Sequence, residues 1–226
     1  MRRLALVVPL ALLLVGCGGK STSAGGADAD GADSGTTVKT TDTTKKKGTM
    51  DCAISGDKSK AELANLEDGK TYEVVVDTNK GSFTFELATK TSPCTTASIA
   101  GLAEKGFFDG LTFHRIIPGF VIQGGDPLGD GSGGPGYSTV DAPPKDTKYV
   151  KGLVAMAKSP DEPAGTSGSQ FFVVSGPNVE LTPDYAVLGT VTEGLDVVEK
   201  IGALGDPNDQ FGTPTERVEI KKMQLK

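Results

Sequence analysis

The chain has 226 residues, and its 29 acidic residues outnumber 23 basic ones, which gives a net charge of −6. An acidic surface repels the phosphates of a nucleic acid, so the composition argues against nucleic acid as a partner. The chain holds one histidine and three cysteines. Because the cysteines have other expected roles, we expect no metal site.

The first sixteen residues have the parts of an export signal. Arg2 and Arg3 form a basic start, and residues 4–14 are an apolar run. That run is shorter than the roughly 20 residues that a membrane-spanning helix needs, so it is typical of a cleaved signal. It ends in Leu14-Val15-Gly16-Cys17, which matches the bacterial lipobox and implies a lipid on Cys17. The alternative is a plain secretory signal that happens to contain a cysteine.

Cleavage of the signal would remove Arg2 and Arg3 and leave 21 basic against 29 acidic residues. The surface of the mature protein would then offer no polybasic patch for anionic lipids. We therefore expect attachment to the cell membrane, on its extracytoplasmic side, to rest on the acyl chains of Cys17.

Four parts of the chain are predicted from composition. Residues 1–16 are the signal, and 17–50 are the lipidated cysteine and a Gly-, Ser-, Thr- and Asp-rich linker that cannot bury enough apolar surface to fold. Residues 51–70 are a transition segment with a short helix at 58–66, and 71–226 are the folded domain. Cys52 and Cys94 are a possible disulfide in an exported chain, the alternative being two free thiols.

Eight short segments with period-two alternation predict strands at 72–78, 82–88, 111–117, 120–124, 150–157, 170–175, 186–191 and 218–225. The first two flank a hairpin turn at Asn79-Lys80-Gly81. Helices are predicted at 93–105, with Ser92 as N-cap, and at 195–201, with Thr192 as cap. The glycine-dense run 128–137 lacks a following Gly-Lys-Ser/Thr, so it predicts a surface loop, not a phosphate site. This pattern indicates an all-β closed barrel with two peripheral helices.

The stretch FHRIIPGFVIQGGD at 113–126 is the most informative part of the sequence. It places Arg115 among apolar residues, where an unpaired charge is costly. In a strand at 111–117, Phe113, Arg115 and Ile117 share one face and His114 lies on the other. Together with GLVAMA at 152–157 and GSQFFV at 168–173, in that order, the stretch closely resembles the signature of the cyclophilins, the cyclosporin-binding class of peptidyl-prolyl cis-trans isomerases. The resemblance runs from about Tyr72 to the C-terminus.

This resemblance implies a closed eight-stranded antiparallel barrel with its active groove on the outside. Isomerisation rotates the amide before proline without making or breaking a bond, so it requires no nucleophile, metal or cofactor. An apolar slot for the proline ring and a donor that favours the twisted amide are sufficient. A guanidinium with fixed N–H groups can supply that donor.

The resemblance also assigns site residues by position. It implies that Arg115 is the catalytic arginine, assisted by Gln123 and Phe120. The matching substrate-binding positions are Val121, Ala157, Lys158, Gln170, Phe172, Leu181 and Tyr185. For the aromatic residues the alternative is ordinary core packing. His114 is assigned a structural role, because isomerisation needs no proton transfer.

Several positions depart from the family pattern. Glu180 stands where cyclosporin-sensitive members carry Trp, Tyr185 where they carry His, and Lys158 replaces a common Asn. The resemblance therefore gives no expectation of cyclosporin binding, although the isomerase residues are intact. We predict a monomeric, membrane-tethered isomerase acting on proline-containing segments of exported polypeptides. The alternative is a module that binds such segments without catalysis, as a chaperone or scaffold.

Overall fold

The structure is a computed structural model that describes residues 51–226. The predictions for the signal, for Cys17 and for the linker lie outside the described residues. Within them the chain forms thirteen strands and two α-helices. The strands are β1 (Ser55–Gly56), β2 (Glu73–Thr78), β3 (Gly81–Leu87), β4 (Arg115–Ile117), β5 (Val121–Gly124), β6 (Tyr137–Val140), β7 (Tyr149–Val150), β8 (Leu153–Met156), β9 (Thr166–Ser167), β10 (Phe171–Val174), β11 (Asn178–Val179), β12 (Val187–Glu193) and β13 (Ile220–Leu225). The helices are α1 (Pro93–Glu104) and α2 (Leu195–Gly202).

The main sheet has eight antiparallel strands in the order β13-β2-β3-β12-β8-β10-β5-β4. Each of these strands overlaps one of the eight predicted segments, although β3 begins one residue earlier and β12 ends two residues later than predicted. The all-β class and the eight main strands are therefore confirmed. Two small sheets, β1-β6-β9 and β11-β7, were not predicted. Their strands have two to four residues, too few to show an alternating pattern.

The predicted closure of the barrel is wrong. The main sheet is open, with β4 and β13 as its two edges. The segment before β4 meets the start of β13, where Thr112 and Glu219 form an isolated bridge. The Phe113 N–H donates to the Val218 carbonyl at 3.0 Å, and the Ile220 N–H donates to the Leu111 carbonyl at 2.8 Å. Because β4 begins at Arg115 and not at the predicted residue 111, no strand ladder joins the edges.

The predicted hairpin turn is confirmed, and the caps of the two helices differ from the prediction in two details. Thr78 pairs with Gly81, whose φ of 125° requires glycine. Helix α1 begins at Pro93 as predicted, but the Ser92 side chain makes no capping hydrogen bond. The cap of α2 is Gly194, because Thr192 belongs to β12.

The helix predicted at 58–66 is only a short 3₁₀ turn, Lys58–Lys60. The chain beyond it has no regular secondary structure and contacts α1, where the Ala64 N–H donates to the Ala97 carbonyl at 2.9 Å. This contact is close because Gly101 has no side chain: a Cβ there would lie 2.5 Å from the Glu62 carbonyl oxygen.

A disulfide joins Cys52 to Cys94, with their Cα atoms 5.6 Å apart. The predicted pairing is therefore confirmed, and it ties the segment before the main sheet to the first turn of α1. No helix in residues 51–226 has both the length and the apolar character needed to cross a membrane.

The main core lies on one face of the sheet, against the helices. Ile122, Phe171 and Val173 belong to it and are fully buried. Because side chains alternate along a strand, their neighbours Val121 and Phe172 point to the opposite face, where they join a second apolar cluster. The candidate site lies on that second face.

Candidate active site

The strand register aligns one row of side chains across β4, β5, β10 and β8. Arg115 lies opposite Gln123, Gln123 opposite Phe172, and Phe172 opposite Ala155. Residues directly opposite each other in an antiparallel pair point to the same face of the sheet. The row therefore brings the guanidinium of Arg115 to the same surface as the ring of Phe172.

A chain of hydrogen bonds holds Arg115 in this row. Its Nη1 donates to Gln123 Oε1 at 3.2 Å, and Gln123 Nε2 donates to Gln170 Oε1 at 3.0 Å. Gln170 Nε2 in turn donates to the carbonyls of Gly131 and Gly133, both at 2.9 Å. Among the ion pairs of the described residues, none includes Arg115. The guanidinium is thus fixed by a neutral amide, and its other N–H groups are free to meet a substrate.

Beside this chain lies an apolar patch, the second cluster of the fold. Its buried members are Val121, Tyr149, Ala155, Phe172, Val174 and Val179, and its half-buried members are Phe120, Leu153, Ala157, Leu181 and Tyr185. The rings of Phe172 and Tyr185 meet edge to face, with their centroids 5.5 Å apart. A buried floor with half-buried walls of this kind suits a compact apolar ring.

Tyr149 is a part of the site that sequence reasoning missed. Its ring is fully buried, and its hydroxyl donates to the Tyr185 carbonyl at 2.8 Å and accepts from the Tyr185 N–H at 3.1 Å. Burial raises the pKa of Tyr149 to about 12. The sequence offers one signal for such a residue, which is a tyrosine directly before a predicted strand. If its ring is buried there, its hydroxyl needs a hydrogen-bond partner elsewhere in the fold.

Lys158 lies at the rim of the apolar patch with its side chain folded back. Its Nζ donates to the carbonyls of Ser159 at 3.0 Å and Glu162 at 2.9 Å, and it sits 5.9 Å from the centroid of the Tyr185 ring. The neighbouring Ala157 N–H donates to the Gln170 carbonyl at 2.9 Å. This strand end is therefore attached to the same glutamine that takes part in the hydrogen-bond chain.

The surroundings of His114 fit a structural role. Both ring nitrogens are buried without a hydrogen-bond partner, and burial lowers the pKa of His114. Burial also lowers the pKa of Arg115, although a guanidinium keeps its charge in proteins. The predicted face shared by Phe113 and Arg115 is wrong: Phe113 lies in the main core, because the extended strand begins only at Arg115.

The structure brings all ten predicted site residues together. Three form the hydrogen-bond chain (Arg115, Gln123, Gln170), six belong to the apolar patch (Phe120, Val121, Ala157, Phe172, Leu181, Tyr185), and Lys158 lies at the rim. Glu180 is exposed in the wall of an open cavity of about 430 Å³ that Leu181 and Tyr149 also line. Within residues 51–226, no group of three or more His, Cys, Asp or Glu is placed to hold a metal ion.

A surface with a fixed donor beside an apolar slot suits an enzyme that rotates a bond rather than breaking one. Comparison with known proteins points to the same class. The sequence model of the cyclophilin type peptidyl-prolyl cis-trans isomerases matches residues 73–225. Peptidyl-prolyl cis-trans isomerase B of Bacillus subtilis is 42% identical over 131 residues, which cover 58% of this chain and 88% of that protein. A peptidyl-prolyl cis-trans isomerase-like 1 protein of Neurospora crassa is 36% identical over 157 residues, 68% of this chain and 93% of its own.

Solved structures agree. A cyclophilin type peptidyl-prolyl cis-trans isomerase of Cryptosporidium parvum superposes with a TM-score of 0.61 at 29% identity, covering 70% of this chain and 98% of that one. A second crystal structure of the same protein, in the presence of the dipeptide Ala-Pro, has a TM-score of 0.60 at 29% identity. The chain therefore belongs to the family of cyclophilin-type peptidyl-prolyl cis-trans isomerases. Its activity is the isomerisation of the peptide bond before proline, and the prediction of an isomerase is confirmed.

Proposed function

We propose that Arg115 is the catalytic donor and that the apolar patch holds the proline ring. The observation that carries this proposal is the row in which the guanidinium of Arg115, held by Gln123, shares one face with Phe172. As the amide before proline twists, its nitrogen regains a lone pair that can accept a hydrogen bond. A donor fixed at that position stabilises the twisted state more than the planar one, which is what accelerates the rotation.

The remaining site residues bind the substrate peptide in this proposal. Val121, Phe172, Leu181 and Tyr185 enclose the proline ring, and Phe120 closes the slot from the turn before β5. The amides of Gln123 and Gln170 and the main chain at residues 157–158 bind the peptide backbone. The Ala-Pro dipeptide used with the Cryptosporidium parvum relative supports a binding site of this size.

The substrates in this proposal are proline-containing segments of exported polypeptides. The protein acts as a monomer on the extracytoplasmic side of the cell membrane, where acyl chains on Cys17 anchor it through the linker at 17–50. The signal-like residues 1–16 and the lipobox support this location. The disulfide between Cys52 and Cys94 supports it as well, because disulfides persist in oxidising compartments.

Catalysis by Arg115 is tested with the purified full chain and a short Xaa-Pro peptide, by following cis-to-trans exchange. We expect the wild type to accelerate exchange and Arg115→Ala to lose most of that acceleration. Arg217→Ala is the matched control, since Arg217 is a surface residue that pairs with Glu219. Full activity of Arg115→Ala would refute the assigned role. A wild type that binds the peptide but leaves cis-to-trans exchange at its uncatalysed rate would favour the non-catalytic binding module.

The location is tested by cell fractionation and palmitate labelling of the wild type and Cys17→Ala. We expect the wild type to be labelled and to sediment with the membranes, and the variant to lose both properties. Equal labelling of the two proteins would refute a lipid on Cys17.

A further inference from the structure

Asp126, which follows β5, is a buried acid that the proposed mechanism does not use. It is only 1% exposed. None of the ion pairs in residues 51–226 gives it a cation. Its Oδ1 accepts the Leu128 N–H at 2.8 Å, and its Oδ2 accepts the Gly131 N–H. A buried carboxylate is costly unless hydrogen bonds compensate it, so these two backbone donors tie the loop at 127–133 to Asp126.

The same loop holds Gln170. The carbonyls of Gly131 and Gly133 both accept from Gln170 Nε2 at 2.9 Å. Gly133 also packs directly on the carboxylate, because a Cβ there would lie 2.1 Å from Asp126 Oδ1. The positions of both carbonyls therefore depend on Asp126, which the loop surrounds.

These two carbonyls set the direction of the whole hydrogen-bond chain. A carbonyl oxygen only accepts, so the NH₂ group of Gln170 must face the loop and its oxygen must face Gln123. Gln123 then donates its NH₂ to Gln170 and presents its oxygen to the guanidinium of Arg115. A reversed Gln123 would turn its NH₂ toward Arg115, which has donors only, and the contact would be lost.

We propose that Asp126 is a positioning residue for isomerisation, which fixes the carbonyls of Gly131 and Gly133 and so determines that Gln123 presents an oxygen to Arg115. This inference rests on the proposed catalytic role of Arg115. It assigns a function to the glycine-dense loop, which the sequence marks only as irregular.

The test is a double-mutant cycle of Asp126→Asn and Gln170→Ala, measured as kcat/KM for a short Xaa-Pro peptide with the full chain. Asparagine has the same size, but its NH₂ group cannot accept the backbone N–H that the lost oxygen accepted. We expect Asp126→Asn alone to lower kcat/KM about tenfold, since residues in one hydrogen-bond network couple by amounts equal to about two- to 150-fold. In the Gln170→Ala background it should cause no further loss. Asp130→Asn is the control, because Asp130 lies in the same loop and its carboxylate bonds to Ser132.

A second measurement separates positioning from support of the fold. In spectra of ¹⁵N-arginine side chains, we expect the Arg115 N–H signals of Asp126→Asn to shift and exchange faster, while those of Arg217 stay unchanged as an internal reference. If Asp126→Asn does not fold, Gly133→Ala replaces it in both experiments, because its methyl group displaces the carboxylate from the other side.

Three results would overturn the positioning role: an unchanged kcat/KM in Asp126→Asn, an equal loss in the Gln170→Ala background, or unchanged Arg115 signals. Failure of the underlying mechanism has a different signature, which is full activity of Arg115→Ala. The two failures are therefore distinguishable.

Discussion

Replacing Tyr149 by Phe should weaken the fold and the binding of substrate through one cause. The Tyr149 hydroxyl accepts from the Tyr185 N–H and donates to the Tyr185 carbonyl, so its loss leaves both groups unpaired. An unpaired buried group costs about 1–3 kcal/mol. Because Tyr185 is only half-buried and water can reach it, we expect a total loss of about 2 kcal/mol in the free energy of unfolding. For a domain of this size that loss lowers Tm by about 4–8 °C.

The kinetic effect should fall on KM. Tyr185 packs edge to face on Phe172 in the apolar patch, so freeing its backbone loosens a wall that contacts the proline ring in the planar and twisted states alike. Loss of such uniform binding raises KM and leaves kcat unchanged. The assays are thermal unfolding and exchange kinetics of an Xaa-Pro peptide.

Tyr72→Phe is the matched control for this variant. The Tyr72 hydroxyl accepts only the exposed Glu67 N–H at 2.8 Å, so its removal should cost less than about 1 kcal/mol. A Tyr149→Phe variant no less stable than Tyr72→Phe would refute the energetic argument. A lower kcat at unchanged KM would refute the assignment of Tyr149 to substrate binding.

Three further predictions concern catalysis, the disulfide and pH. Arg115→Lys keeps the charge but cannot donate to Gln123 and to the substrate from one planar fork, so kcat/KM should fall about 10- to 100-fold at unchanged Tm. Unchanged kinetics would contradict this. Replacing both Cys52 and Cys94 by Ser opens a link across 42 residues and should lower the free energy of unfolding by at most about 4 kcal/mol in urea titrations. No change would show that the link does not constrain the unfolded chain. The pKa of Tyr149 rises from 10.0 to about 12 in the folded state, so its contribution to stability is complete below pH 10 and is lost as the pH rises to about 12. Urea titrations over this range should show a steeper loss for the wild type than for Tyr149→Phe, and parallel curves would contradict the assignment.

The resemblance to the cyclophilins assigned the site residues, and strand alternation agrees with it where those residues lie on strands. On β5 and β10, neighbours point to opposite faces, so Val121 and Phe172 separate from Ile122 and Phe171 as the sequence indicates. The open edge of the sheet was not predictable in this way. Closure depends on whether β4 and β13, more than a hundred residues apart, form a ladder, and no local pattern reports that.

Residues that act through distant partners were missed for the same reason. Tyr149 has its hydrogen-bond partner 36 residues away, at Tyr185. Asp126 holds the loop residue Gly131, whose carbonyl accepts from Gln170, 39 residues away. In the sequence Tyr149 is an aromatic residue next to a predicted strand, and Asp126 is the last residue of the stretch 113–126. Their roles become visible only when the fold brings the two sides of each hydrogen bond together.

The choice of a neutral partner for Arg115 follows from what the guanidinium has to do. A carboxylate at the position of Gln123 would hold the guanidinium more strongly, but it would also compete with the substrate for its donors and cancel part of its charge. An amide oxygen fixes the direction of one N–H and leaves the charge in place. The cost is that an amide can be reversed, which a carboxylate cannot. A chain that ends on backbone carbonyls removes this ambiguity, since those carbonyls accept only one orientation of Gln170. Fixing a cation without neutralising it therefore requires a long neutral network, and a loop rich in glycine brings two carbonyls close enough to complete it.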